Sequence, residues 1–182
     1  MAATKHAIVA MVADKPGVLN RIASLFRRRG FNIESIAVGH SEVPKISRMT
    51  VVVDGSTTQV EQVRKQLEKV VDVIKVSDVT GEGTITRELA MIKVKTTSVN
   101  RSEIMQIVDI FRANIVDVSS DSVAIEVTGD EEKVDSLYKL LRGFGIIEIA
   151  RTGVIAMTRG GVSSSMMEEK QSKFTGKKKK TE

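Results

Sequence analysis

The sequence predicts an α+β fold of two successive modules, each running βαββαβ around an antiparallel sheet with its two helices on one face. Three observations predict it. Short apolar or alternating runs, read as strands, are interleaved with stretches whose apolar residues recur at three and four, read as helices. The order of these segments is the same in both halves, a repeat of fold rather than of residues. Between the halves lies Gly81-Glu82-Gly83-Thr84, a polar, glycine-bearing segment suited to a short linker. At 182 residues, 41% of them hydrophobic, the chain is long enough for two small domains, each with its own core.

Residues 6–13, His-Ala-Ile-Val-Ala-Met-Val-Ala, are short and apolar and read as a buried strand closed by the turn Asp14-Lys15-Pro16-Gly17. From Val18 a helical period sets in, with Val18, Leu19, Ile22, Ala23, Leu25 and Phe26 inward and Arg27, Arg28 and Arg29 in the last turn before Gly30. Strands follow over Phe31 to Val38 and Arg48 to Asp54, where Met49, Val51 and Val53 alternate with Thr50 and Val52, and the Pro44-bearing loop from Gly39 to Lys45 joins them. Thr57 or Thr58 caps a helix striped by Val60, Val63, Leu67 and Val70, and Asp72 to Val79 closes the module as a strand. In the second half Leu89 to Lys95 is a strand, and Ile104, Ile107, Val108 and Phe111 stripe a helix. Ile115 to Val118 and Val123 to Val127 pair around Ser119-Ser120-Asp121-Ser122; Val134, Leu137 and Leu141 stripe the fourth helix, and Ile146 to Ala156 is the last strand. These are ferredoxin-like modules over residues 6–80 and 84–160, and residues 161–182, rich in lysine and without apolar periodicity, read as a disordered tail. Such a module leaves its other sheet face or an edge strand for self-association, and a dimer is expected.

Composition closes several function classes. The absence of Cys removes disulfides, thiolate nucleophiles, iron–sulfur clusters and Cys-ligated zinc, and fits a reducing compartment. With two His, His6 and His40, no triad or metal spacing appears, so no catalytic residue and no metal site are expected. No apolar stretch approaches the ~20 residues of a membrane span and no signal peptide opens the chain, so the expected location is the cytoplasm. The net charge of +5 is unevenly spread: residues 163–182 hold six Lys against three Glu, leaving 22 basic and 20 acidic side chains in the rest. That near-neutral body, with only six aromatic residues in the whole chain, argues against nucleic acid as a partner.

The most informative local feature is the strand-to-helix junction Asp14-Lys15-Pro16-Gly17-Val18-Leu19. It is either an ordinary helix start, with Pro16 near the first helical position and Asp14 as the cap, or a small anion site. In the second reading unpaired backbone N–H groups and the positive end of the dipole face a ligand that Gly17 lets approach. Asn32, an amide with donor and acceptor atoms, and Asp14, a carboxylate, would complete the outline of an amino acid zwitterion. Arg27-Arg28-Arg29 is either a phosphate or partner patch or a complement to the helix dipole. Lys177 to Lys180 reads as a solvated tail and the two His as surface or capping residues.

Asp14-Lys15-Pro16-Gly17-Val18-Leu19-Asn20-Arg21, the run Leu25 to Ile36 with its Gly30-Phe31-Asn32-Ile33-Glu34-Ser35, and Ser47-Arg48-Met49-Thr50 resemble the N-terminal ACT domain of acetolactate synthase (acetohydroxyacid synthase) small regulatory subunits. The likeness continues in Leu67 to Val73, in Arg87 to Val94 and in Ala150 to Gly160, covering roughly residues 6–160. The resemblance implies a subunit without a catalytic site or cofactor of its own. It implies a large catalytic subunit as partner, which uses thiamine diphosphate, magnesium and FAD to condense two pyruvates to acetolactate, or pyruvate with 2-oxobutyrate to acetohydroxybutyrate, in branched-chain amino acid biosynthesis. The small subunit activates that partner and confers feedback inhibition by L-valine, held between two ACT domains of a homodimer or higher oligomer. Carried over by position, the backbone of Gly17, Val18 and Leu19 holds the effector carboxylate, Asp14 lies near its ammonium group, and Asn32 and Ile33 come from the neighbouring chain. Asp14 stands where many members have Asn, and the lysine-rich tail is longer than is usual. The alternatives are an ACT-domain sensor of another amino acid regulating another enzyme or a transcription factor, a nucleic-acid binder using the basic tail, and an independent enzyme.

Overall fold

β1 (Lys5–Ala13) is buried from Ala7 to Ala13, on both of its faces, which is why its residues are apolar without alternation. In the computed structural model, which describes residues 5–55, 59–81 and 83–160, it is followed by α1 (Val18–Arg29), β2 (Ser35–His40), β3 (Ile46–Asp54), α2 (Val60–Leu67) and β4 (Val73–Asp78). The order repeats as β5 (Thr84–Lys95), α3 (Arg101–Ile110), β6 (Asn114–Val118), β7 (Ser122–Gly129), α4 (Glu131–Leu141) and β8 (Ile146–Arg151), and a short β9 (Ile155–Thr158) ends the described chain. Both sheets are antiparallel and share one strand order, β2-β3-β1-β4 and β6-β7-β5-β8, as the α+β, ferredoxin-like expectation requires. Two compact units result: residues up to 85 with those from 156 onward, and residues 86–155. The tail expected to be disordered, residues 161–182, lies outside the described residues.

In the first unit, register sets Ile8 opposite Val51 and Ala10 opposite Met49, and this face packs on Ile22 and Phe26 of α1 and on Val63 and Leu67 of α2. Each such burial is worth about 1.5–3 kcal/mol, more than the propensity of an eight-residue helix can supply, so α2 exists because Val63 and Leu67 are fully buried. Its N-cap is Gln59, whose side chain makes no capping bond; Thr57 and Thr58, expected to cap it, lie outside the described residues. The opposite face of β1 is not left open. Ala7 and Val9 pack there with Val79 and with Ala156, whose carbonyl accepts a 2.8 Å bond from the Arg48 guanidinium. This explains why Thr50 and Val52, the outward half of the β3 alternation, are buried as well.

α1 ends at Gly30 in the left-handed conformation (φ 67°), with the Gly30 and Phe31 N–H groups returning to the Arg27 and Phe26 carbonyls and three arginines at the negative end of the dipole. Phe31 then packs edge-on against Phe26, centroids 6.0 Å apart, and Ile33 joins the core. The chain uses Phe31 to Glu34 to turn back, so β2 starts at Ser35 rather than at Phe31. Leu19 and Ala23, expected to face inward, are exposed.

The second unit packs Ala90, Ile92, Val94, Ile125 and Val127 of its sheet against Ile104 and Val108 of α3 and Val134, Leu137 and Leu141 of α4. Asp130 caps α4 by accepting from the Lys133 N–H at 2.9 Å. The expected single strand from Ile146 to Ala156 is two strands, broken at Gly153 (φ 82°). β8 and β9 both pair with β5, and Arg159 N–H bonds the Gly83 carbonyl, which is why β5 begins at Thr84 inside the expected linker instead of at Leu89.

Candidate functional site

Gly17 stands at the N-cap of α1 with φ 87° and ψ −9°, a left-handed backbone that glycine adopts without strain, and open space surrounds the place where a Cβ would be. The first helical bond runs from Arg21 N–H to the Gly17 carbonyl (3.0 Å). The N–H groups of Val18, Leu19 and Asn20 therefore have no acceptor within the helix, and among the described residues no side chain caps them. The first turn also carries no acid, whereas α2, α3 and α4 begin with Glu61, Glu103 and Glu131 with Glu132. The positive end of the α1 dipole is thus left for an anion from outside the helix.

Asp14 does not cap. Its N–H bonds the Lys45 carbonyl at 2.9 Å, and its half-exposed carboxylate lies 3.3 Å from His40 Nδ1, at the far end of β2. Pro16 falls in the turn, two residues before the first helical position. Val18 is buried and pins the turn to the core, while Leu19 is 48% exposed beside the open N–H groups.

What fixes this turn in place is a residue the sequence reading passed over. Asp72, just before β4, has a side chain only 9% exposed; its Oδ1 accepts from Lys15 Nζ at 3.0 Å and its Oδ2 from the Arg21 guanidinium, one cation on each side of Gly17. Its backbone carbonyl accepts from Ala13 N–H at 2.8 Å. A lone acid inside Val70-Val71-Asp72-Val73 was the available signal, since such a residue is buried only when its charge is matched.

Asn32 and Ile33 lie at the other end of α1, which at twelve residues is ~18 Å long. Asn32 Nδ2 donates to Glu34 Oε1 at 2.9 Å, and the Ile33 side chain faces the core. One chain therefore brings together Asp14, Gly17, Val18 and Leu19 but not Asn32 and Ile33, which the resemblance assigns to the neighbouring chain. β2 connects the two ends as an edge strand, and Ile36 and Val38, on its helix-side face, are 42% and 44% exposed. Arg27 and Arg28 are exposed, and Arg29 donates to Gln66 Oε1 at 3.2 Å; Lys177 to Lys180 lie outside the described residues. Among the described residues no group of three or more His, Asp or Glu is placed to hold a metal, and no helix is long and apolar enough to cross a membrane.

A βαββαβ sheet of order β2-β3-β1-β4 whose first helix opens on an Asp-Lys-Pro-Gly turn defines an ACT-domain protein. The family model described as the AHAS small subunit-like ACT domain matches residues 8–75, and that of the small subunit of acetolactate synthase matches residues 87–160. The chain is 56% identical over 156 residues to a probable acetolactate synthase small subunit of Methanothermobacter thermautotrophicus, covering 85% of this chain and 93% of that one. It is 47% identical over 160 residues to the acetolactate synthase small subunit of Mycobacterium bovis, covering 88% and 95%. The crystal structure of the acetolactate synthase small subunit from Thermotoga maritima matches with a TM-score of 0.79 at 44% identity, over 87% of this chain and 99% of that one. The chain belongs to the acetolactate synthase small-subunit family.

Proposed function

We propose that this chain is the non-catalytic regulatory subunit of acetolactate synthase in branched-chain amino acid biosynthesis: it binds and activates the large catalytic subunit and makes it inhibitable by valine. Thiamine diphosphate, magnesium and FAD, with the condensation of two pyruvates to acetolactate and carbon dioxide, belong to that partner. The observation that carries the reading is the uncapped, acid-free start of α1 at Gly17.

The effector carboxylate would accept from the backbone N–H groups at Gly17, Val18 and Leu19, and the Asp14 carboxylate would face its ammonium group. The edge strand completes the site in a homodimer. Two β2 strands pairing antiparallel about a two-fold axis near Ala37 put Ser35 of one opposite Gly39 of the other, which carries the partner's Asn32 and Ile33 to the turn at Gly17. The same pairing covers the exposed Ile36 and Val38 and satisfies an open sheet edge. Valine acts only by binding one dimer arrangement better than another; a typical coupling of about 1–3 kcal/mol changes affinity roughly 5–150-fold.

The test is reconstitution with the catalytic subunit, following acetolactate formation with and without valine, for the unaltered chain and for Gly17→Asp. The space around Gly17 is open, so the variant folds with only the local strain of a left-handed aspartate. Its carboxylate occupies the anion site, so activation persists and valine inhibition is lost. Inhibition equal to that of the unaltered chain overturns the site; failure of the unaltered chain to raise catalytic activity overturns the function and favours another ACT-domain sensor.

A further inference from the structure

On the outer face of the first unit's sheet, opposite the helices, register places Gly39, Arg48, Met11 and Lys75 in one row across β2, β3, β1 and β4. A cleft of about 60 Å³ opens over this row, its floor formed by Val9, Met11 and Val79. Its walls carry two cations, Arg48 and Lys75, and two hydroxyls, Ser77 and Thr158. A water needs about 10–15 Å³ on this scale, so there is room for a group of several heavy atoms.

Both cations are half-buried, and neither has an ion-pair partner among the described residues. This sets them apart from Lys15, Arg21 and Arg151, each of which meets a carboxylate. Two like charges lining one cleft over an apolar floor repel through a medium less polar than water, and a single anion between them removes that cost. The Arg48 guanidinium is already oriented by its 2.8 Å bond to the Ala156 carbonyl, and its other donors make no further bond among the described residues. A fixed fork, a point charge and two hydroxyls match the oxygens of one oxyanion group. Gly39, at the β2 end of the row, adds no side chain, and a Cβ there would meet nothing within 4 Å among the described residues.

We infer that this cleft is an oxyanion site that takes one phosphate or carboxylate group, on the sheet face opposite the turn at Gly17. It does not depend on the valine reading.

Met11 is the reporter. In full-length protein labelled at its methionine methyl groups, with the Met11 signal identified by Met11→Leu, sodium phosphate and sodium acetate are titrated against sodium chloride at equal ionic strength. The Met11 methyl shift saturates with phosphate, with acetate or with both, and the arm that saturates identifies the group. Lys75→Gln and Arg48→Gln each weaken saturation about tenfold or more, as loss of a charge-assisted bond requires. Gly17→Asp, which blocks the other anion site, leaves saturation unchanged. If Met11 responds to neither anion beyond chloride, if both cation variants saturate as the unaltered chain does, or if Gly17→Asp abolishes the response, the assignment is wrong. Each variant's other methyl signals establish that it is folded, and Lys75→Gln, at a half-exposed position, supplies the test should Arg48→Gln disturb the sheet.

Discussion

Asp72→Asn tests whether one carboxylate holds the turn at Gly17. It keeps the size of the side chain and removes its charge, leaving Lys15 and Arg21 without their shared partner on either side of a helix start that is itself positive. Hydrogen bonds to charged groups are worth about 1.5–3 kcal/mol each, and breaking a fully buried pair costs about 3–5 kcal/mol. Here the two cations are 57% and 55% exposed, so water takes them back, and the amide oxygen of the substituted side chain still accepts one bond. The loss is therefore about 1–2 kcal/mol, confined to the turn and the first turn of α1 because the Asp72 backbone bond to Ala13 is untouched. Hydrogen exchange by mass spectrometry reads it: the hydrogen-bonded amides of Asp14, Lys15 and Arg21 exchange about 5–30-fold faster, while those of the second unit do not change. Lys15→Met and Arg21→Met each give part of the effect and add little to Asp72→Asn. Rates within twofold of the unaltered chain would mean that the carboxylate does not restrain the turn, and the account of how the site is held would fail.

Two further outcomes follow from the same structure. Leu137→Ala removes a fully buried side chain from the second core and destabilises that unit by about 2–5 kcal/mol, read as faster exchange across α3, α4 and β5 with first-unit amides unchanged; a loss below 1 kcal/mol would refute the packing. The hydrogen bonds and charge of Arg64 hold the Glu61 carboxyl at a pKa of about 2 against 4.5, so its contribution to stability is complete above pH 4.5 and disappears as pH falls from 4.5 to about 2. Both groups lie at the surface, so the contribution is small and screened by salt, and a side-chain carboxyl titration by NMR with its midpoint near 4.5 at low salt would contradict it.

Much of the fold was legible because each element is amphipathic at its own period. Val134, Leu137 and Leu141 are all fully buried where the helical stripe puts them, and Met49, Val51 and Val53 lie on the helix side of β3 as alternation requires. The misreadings occur where a distant segment overrides local pattern. The spacing puts Thr84 in a linker and starts the strand at Leu89, whereas β5 begins at Thr84, because one of its pairing partners, β9, lies some seventy residues further along the chain. Leu19 fitted the inward stripe by spacing, yet it stands at the exposed helix start. At the site, the glycine, the absence of an acid in the first turn and the acid at position 14 could be read directly. Asp72 offered only its setting among valines, because its role depends on a turn more than fifty residues away, whereas the distance of Asn32 from Gly17 follows from the helix read between them.

The contrast between α1 and α4 gives the candidate site its thermodynamic meaning. Asp130 and two glutamates satisfy the start of α4 from within, and a side-chain cap of that kind is worth about 1 kcal/mol. α1 forgoes both devices and is held instead by a carboxylate that grips the flanking cations and leaves the N–H groups at Val18 and Leu19 free. A ligand carboxylate at that position would supply what the helix lacks, so its binding is linked to the stability of the turn. At one hundred times its dissociation constant, such a ligand adds about 2.7 kcal/mol to the state that binds it. In the proposed dimer that state includes the partner's Asn32 and Ile33, so the same free energy tightens the pairing of two β2 edges. On this proposal a small effector would report to the catalytic subunit because the helix start and the sheet edge are each incomplete alone and would be completed together.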